Sequence, residues 1–214
     1  MKGKFITFEG PEGSGKTTQV LLLAKYLKEK GLPVVVTREP GGTEISEKIR
    51  NILLDASNLN LMDRTELLLI VASRAQNTDE FILPALEEGK IVVCDRYSDS
   101  TLAYQSYGRG FDLKATTEMC LFATKGLQPD LTLLIDIDPE LGLERARVSG
   151  KMKESANKHD RMESQGLEFH RKVREGFLEL AKAEPDRFRV LDGRKSIAEI
   201  HSSTIKYIEE LLKA

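Results

Sequence analysis

Apolar and polar positions alternate in blocks along this chain. Runs rich in β-branched and aromatic side chains, Phe5 to Glu9, Val34 to Arg38, Ile91 to Asp95, Leu131 to Ile137 and Phe188 to Asp192, read as buried strands. Between them apolar residues recur at helical spacing over Thr18 to Lys30, Ile45 to Leu54, about Arg64 to Leu86, Lys114 to Thr124 and a long stretch after Leu167. Ser196 with Glu199 makes a capping box, and Ile197, Ile200, Ile208, Leu211 and Leu212 give the last helix one apolar face. This alternation predicts an α/β fold, a doubly wound parallel sheet of five strands flanked by helices, with ligands beyond the carboxyl ends of the strands. Glu9, Arg38, Glu39, Asp95, Arg96 and Asp136 each close or follow a strand, so one cleft collects them. The 214 residues fit a single domain over 1–214. One segment breaks the alternation: about 145–161 carries Arg145, Arg147, Lys151, Lys153, Lys158 and Arg161 with few apolar anchors, and reads as a basic lid rather than a solvated charged helix.

Chemistry enters at the first strand-to-helix junction. Gly10-Pro11-Glu12-Gly13-Ser14-Gly15-Lys16-Thr17, with Thr18 next, fits a phosphate loop. Its glycines let backbone N–H groups converge on phosphate oxygens at a helix N-terminus; Lys16 serves the outer phosphates and Thr17 a magnesium ion. Asp95, closing an apolar strand, is the carboxylate placed to hold that ion or its waters, with Glu9 a further metal candidate and Asp136 ranked behind Asp95. The formal charge of -2, from 32 basic and 34 acidic residues, gives no global field for nucleic acid or a membrane, so an anionic partner must be bound locally. No stretch has transmembrane length and the N-terminus does not read as a signal peptide. Cys94 and Cys120 have no metal-ligand spacing, which fits a reducing compartment and a cytoplasmic protein.

Three motifs in order carry a resemblance: Thr37-Arg38-Glu39-Pro40-Gly41-Gly42-Thr43, then Glu66-Leu67-Leu68-Leu69 with Arg74-Ala75-Gln76, then Val93-Cys94-Asp95-Arg96-Tyr97-Ser98-Asp99-Ser100-Thr101-Leu102-Ala103-Tyr104-Gln105. Over nearly the whole chain the sequence resembles the thymidylate kinase family. The resemblance implies a P-loop NTPase-type fold with a lid, phosphorylation of dTMP by magnesium-ATP, and a homodimer through the second and third helices. It implies that Arg38 and Arg96 grip the acceptor phosphate and that Arg74 reaches the thymine edge. Ser100, Thr101, Tyr104 and Gln105 line the nucleoside pocket, with Tyr104 a barrier to a 2′-hydroxyl. Glu12 binds the 3′-hydroxyl or orients the phosphate-binding arginine, Glu39 belongs to the acceptor site, and Arg194 covers the adenine. Glu39-Pro40 is a candidate cis peptide. Two residues depart from the pattern: Ile70 stands where many members have Phe stacked on thymine, and Gly13 where some have Arg. A lid cation, Arg147, Lys151, Lys153 or Arg161, then supplies the missing charge. The acceptor is itself a phosphate monoester, largely dianionic at pH 7 because its second pKa is about 6, so no general base is needed.

Other readings remain: a kinase for dUMP, UMP or CMP, a GTPase switch, or a non-catalytic nucleotide-binding module. Asn157-Lys158-His159-Asp160 spells a guanine-recognition tetrad, but it lies inside the charged segment instead of following a buried strand. A non-catalytic module has no need of acceptor arginines.

Overall fold

The structure, a computed structural model, describes residues 3–55, 57–58, 60–148 and 165–213. Strands β1 (Lys4–Glu9), β2 (Val34–Arg38), β3 (Ile91–Asp95), β4 (Leu131–Asp136) and β5 (Phe188–Asp192) form one parallel sheet in the order β2-β3-β1-β4-β5. The five strands fall where the apolar runs place them, β4 ending one residue sooner at Asp136. Both faces are covered, as a parallel sheet requires. Alternate side chains Ile6, Phe8, Ile91, Val93, Leu131, Leu133 and Ile135 pack on one side with Val20, Leu23 and Leu27 of α1 (Lys16–Glu29) and Ile200 and Ile208 of the C-terminal helix (Ile197–Lys213). Phe5, Val92, Cys94 and Leu134 face the other way, onto the helices that follow β2, β3 and β4.

On that second side run α2 (Glu44–Leu54) and α3 (Asp63–Asn77). The single long helix expected to Leu86 is interrupted: Thr78–Ile82 forms a π-helical stretch before α4 (Leu83–Glu87). Pro84 is the cause, since it lacks an N–H and its ring crowds the carbonyl one turn back. After β3 come α5 (Ser98–Thr101), which continues as a π-helical segment over Leu102–Gly108, and α6 (Leu113–Thr124), capped by the Asp112 carboxylate on Ala115 N at 2.7 Å. Helix α7 (Pro139–Val148) takes in the start of the basic segment, α8 is Leu167–Ala183, and α9 is the C-terminal helix. Its capping box forms, with Ser196 Oγ and Glu199 Oε2 2.6 Å apart and Ser196 N donating to the same oxygen at 3.0 Å. Lys151, Lys153, Lys158 and Arg161 lie outside the described residues, so the lid expectation does too. Among the described residues no helix is long and apolar enough to cross a membrane.

The strand order decides where chemistry can sit. From β1 the chain crosses beyond β3 to β2, and from β3 it crosses beyond β1 to β4, so β1 and β3 are neighbours whose connections leave in opposite directions. A crevice opens at their carboxyl ends, the usual ligand position in such sheets. Phe8 pairs with Asp95 and Arg38 with Asp95 in register, which lines up the ends of β1, β3 and β2.

Candidate active site

The phosphate loop, residues 10–15, runs from the end of β1 into α1, and its backbone conformation demands its glycines. Gly10, Gly13 and Gly15 have φ of 140°, 67° and 94°, where a side chain is strained. Gly13 is also packed against Gly142 of α7, where a Cβ would lie 1.8 Å from the Gly142 carbonyl oxygen, so this loop cannot hold the arginine that some relatives place there. Lys16 folds back over the loop, its Nζ donating to the carbonyls of Gly10 (2.9 Å) and Pro11 (2.8 Å) and to Ser14 Oγ (3.2 Å). Burial and the nearby Arg96 charge press its ammonium down to about 8. Thr17 and Thr18 stay exposed at the start of α1.

Thr17 Oγ1 donates to Asp95 Oδ2 at 2.6 Å across the crevice. Two hard oxygens meeting at the end of the loop are a donor pair that suits magnesium, which takes one or two protein oxygens and fills its remaining positions with water and phosphate. Glu9, the further metal candidate, makes other bonds. It is fully buried, Oε1 accepts from Tyr97 N at 2.7 Å and Oε2 from Ser100 Oγ at 2.5 Å. Burial and the Asp99 carboxylate push it up to about 8. A buried carboxyl that accepts from the Tyr97 N–H and from Ser100 Oγ positions the turn after β3. Asp136 is likewise engaged, its two oxygens accepting from Arg174 Nε (2.7 Å) and Nη2 (2.9 Å).

That turn is strained where it matters. Arg96 has φ 70°, a left-handed conformation that costs a side-chain-bearing residue about 1 to 2 kcal/mol. Its N–H to the Phe8 carbonyl at 2.9 Å holds it there. The conformation aims the guanidinium back over the phosphate loop: Nη2 donates to Glu12 Oε1 (2.7 Å) and Tyr104 Oη (3.2 Å), Nη1 to Ser100 Oγ (3.1 Å) and the Gly10 carbonyl (3.2 Å). Tyr104 donates in turn to Glu12 Oε1 at 2.9 Å. Burial works against ionisation of Glu12, but the Arg96 and Lys16 charges win and hold it down to about 2. Glu12 thus holds the Arg96 guanidinium in place over the loop.

Arg38 stands at the rim, half-exposed, with Nη2 on both oxygens of Glu47 at 3.0 and 2.9 Å. Arg74 is not at the cleft edge: it is 1% exposed, with Nε on Glu39 Oε2 (2.7 Å), Nη1 on Thr101 Oγ1 (2.9 Å) and Cys120 Sγ (3.4 Å), and Nη2 on the Tyr97 carbonyl (3.0 Å). It ties α3 to the turn after β2, to α5 and the residue preceding it, and to α6. Glu39 also accepts from Asn77 Nδ2 at 3.2 Å, and the Glu39-Pro40 bond is cis. Ser100 and Thr101 are buried under Arg96 and Arg74, and Ile70 is half-buried on α3. Gln105 Nε2 donates to Glu66 Oε1 at 3.2 Å. Two expected residues lie apart from this cluster. Arg194 pairs with Asp192 of its own turn (2.9 and 2.8 Å), and Arg147 is exposed near the end of α7; Lys153 lies outside the described residues. Sequence reasoning missed Glu66 and Arg109, whose Nε and Nη2 hold the two Glu66 oxygens at 2.9 and 3.0 Å, and Arg187, which grips Asp99 with both Nη atoms at 2.7 Å. Glu66 stands in one of the three motifs, but nothing local in the sequence marks Arg109 as its partner or Arg187 as that of Asp99, because each partner comes from a different element.

The chain is similar to known proteins over nearly its whole length. The family profile described as thymidylate kinase matches residues 8–204. A thymidylate kinase of Carboxydothermus hydrogenoformans is 53% identical over 211 residues, covering 99% of each chain. One from Caldanaerobacter subterraneus is 49% identical over 213 residues, covering 100% of this chain and 98% of its own. The crystal structure of thymidylate kinase from Ehrlichia chaffeensis superposes with a TM-score of 0.78 at 37% identity, covering 98% of this chain and 99% of that one.

Proposed function

The chain belongs to the thymidylate kinase family, and from that premise we propose that its crevice carries the γ-phosphoryl group of magnesium-ATP in line onto the phosphate of dTMP. The observation that carries the reading is the Glu12–Arg96–Tyr104 cluster: a guanidinium fixed over the phosphate loop by a carboxylate that stays ionised, beside the Lys16 ammonium. Donor and acceptor phosphates repel each other, and positioning with charge neutralisation is what phosphoryl transfer needs from a protein. Lys16 leaves the loop carbonyls for the donor's outer phosphates, whose oxygens are stronger acceptors. Arg96, joined by Arg38 from the rim, takes the acceptor phosphate through its guanidinium fork. Thr17 and Asp95 would hold the magnesium ion, which would supply positive charge to the donor's phosphates. The acceptor's dianionic oxygen is the nucleophile, so no side chain removes a proton. Tyr104, pinned by its hydroxyl to Glu12, walls the sugar side, and Ile70 covers the base without stacking. Exposed Ile45 and Ile52 of α2 with Leu68 of α3 support a homodimer through these helices, which sedimentation would detect.

ADP release from ATP and magnesium with dTMP, dUMP, UMP, CMP, AMP, GMP or no acceptor tests the reading. The expected order is dTMP first with residual dUMP turnover, because one methyl contact discriminates by about 1 to 3 kcal/mol. Preference for another monophosphate overturns the acceptor, and turnover without any acceptor overturns the transfer.

A further inference from the structure

On α3, Glu66, Ile70 and Arg74 are spaced four apart and share one face. The ends of this stripe, eight residues apart on α3, bond to two residues of the facing segment that lie four apart: Glu66 to Gln105 and Arg74 to Thr101. Ile70, half-buried, lies on α3 midway between these two bonds, and the reading above sets it against the acceptor's base. Gln105 is 1% exposed, and no described residue donates to its Oε1.

A glutamine amide has two chemically opposite ends, and its neighbours decide which one a ligand meets. Glu66, 2% exposed, is clamped on both oxygens by Arg109, which also pairs with Asp63 Oδ1 at 2.7 Å. A carboxylate held in this way only accepts, so Gln105 must turn its NH2 toward Glu66. The carbonyl end is then the one presented to the base.

Building on the thymidylate reading, we infer that Glu66, held by Arg109, is a positioning residue that fixes the Gln105 amide with its Oε1 toward the base, so that the pocket accepts a ring N–H. Thymine and uracil carry a hydrogen on N3 and satisfy that oxygen. Cytosine presents a lone pair there, which leaves two acceptors facing each other in a buried site. Selection against cytosine is thus set by a residue that touches no part of the substrate, and Ile70 needs only to cover the ring.

The test compares dTMP with dCMP, which share a sugar, as acceptors for the full chain and for Glu66→Gln. Glutamine at 66 can donate as well as accept, so both orientations of the Gln105 amide open. The expected result is a fall of about tenfold in the ratio of kcat/KM for dTMP over dCMP, with dCMP turnover rising. A purely structural role for Glu66 lowers both activities together and leaves the ratio unchanged, which overturns the inference while wild-type dTMP turnover stands. Absence of wild-type dTMP turnover overturns the functional reading and the inference with it. If Glu66→Gln does not fold, NMR of the wild-type protein decides: on adding dTMP, the Gln105 Cδ carbonyl resonance shifts and Nε2 does not. Any other pattern overturns the assignment.

Discussion

Lys16 neutralises phosphate only as an ammonium, and the loop that folds around it makes that proton easier to lose. Burial beside Arg96 brings it from 10.5 down to about 8. The free enzyme therefore loses the charge as pH rises through about 8, and kcat/KM for ATP at saturating dTMP falls along that limb. For stability the sign is opposite. The folded state binds fewer protons than the unfolded one between about 8 and 10.5, so Lys16 favours folding increasingly as pH rises through that window. Lys16→Met removes the limb and lowers kcat by on the order of a hundredfold or more, measured by coupled ADP release across pH 6 to 10. Retention of the limb in the mutant assigns it to another group.

Among the elements, the contact of α7 with the phosphate loop has the least slack. Gly142 lies where a Cβ would sit 2.3 Å from the Glu12 carbonyl oxygen, and Gly13 meets the Gly142 carbonyl from the other side. Gly142→Ala pushes the loop and α7 apart, and a loop displaced by a fraction of an ångström no longer aims its N–H groups at phosphate. KM for ATP is expected to rise about tenfold or more with little loss of thermal stability; an unchanged KM refutes the contact's role. The loop itself was legible in the sequence because its chemistry is local: glycines, Lys16 and Thr17 within eight residues between a strand and a helix. The strands were legible for the same reason, as continuous apolar runs. Helix ends and interruptions were not all legible, since the π-helical stretches at Thr78–Ile82 and Leu102–Gly108 depend on Pro84 and on packing against α8. For Glu9, sequence shows that it closes β1 but not that Tyr97 and Ser100 bond to both its oxygens.

At the scale of the whole molecule, a few buried arginines join segments far apart in the chain. Arg187 links Asp99 of α5, Thr132 of β4 at 2.8 Å and Glu184 beyond α8. Asp99 is 2% exposed, so Arg187→Met leaves its carboxylate buried without the guanidinium that pairs with it. The cost is about 3 kcal/mol, a fall in Tm on the order of 10 °C for a chain of this size. Calorimetry checks the figure, and a shift of only a degree or two would show that water compensates Asp99. Arg187 and Asp99 are 88 positions apart in sequence, and only the folded sheet brings them together.

All of these scales converge on one event, transfer of a phosphoryl group between two nucleotides held end to end. The direct measurement is the fate of the label when γ-labelled ATP, magnesium and dTMP are mixed with the full chain in a single turnover. The account predicts label in dTDP at the rate of ADP formation, and loss of that transfer with retained ATP binding in Arg96→Ala. Label released as inorganic phosphate, or transfer that persists undiminished without Arg96, would contradict it.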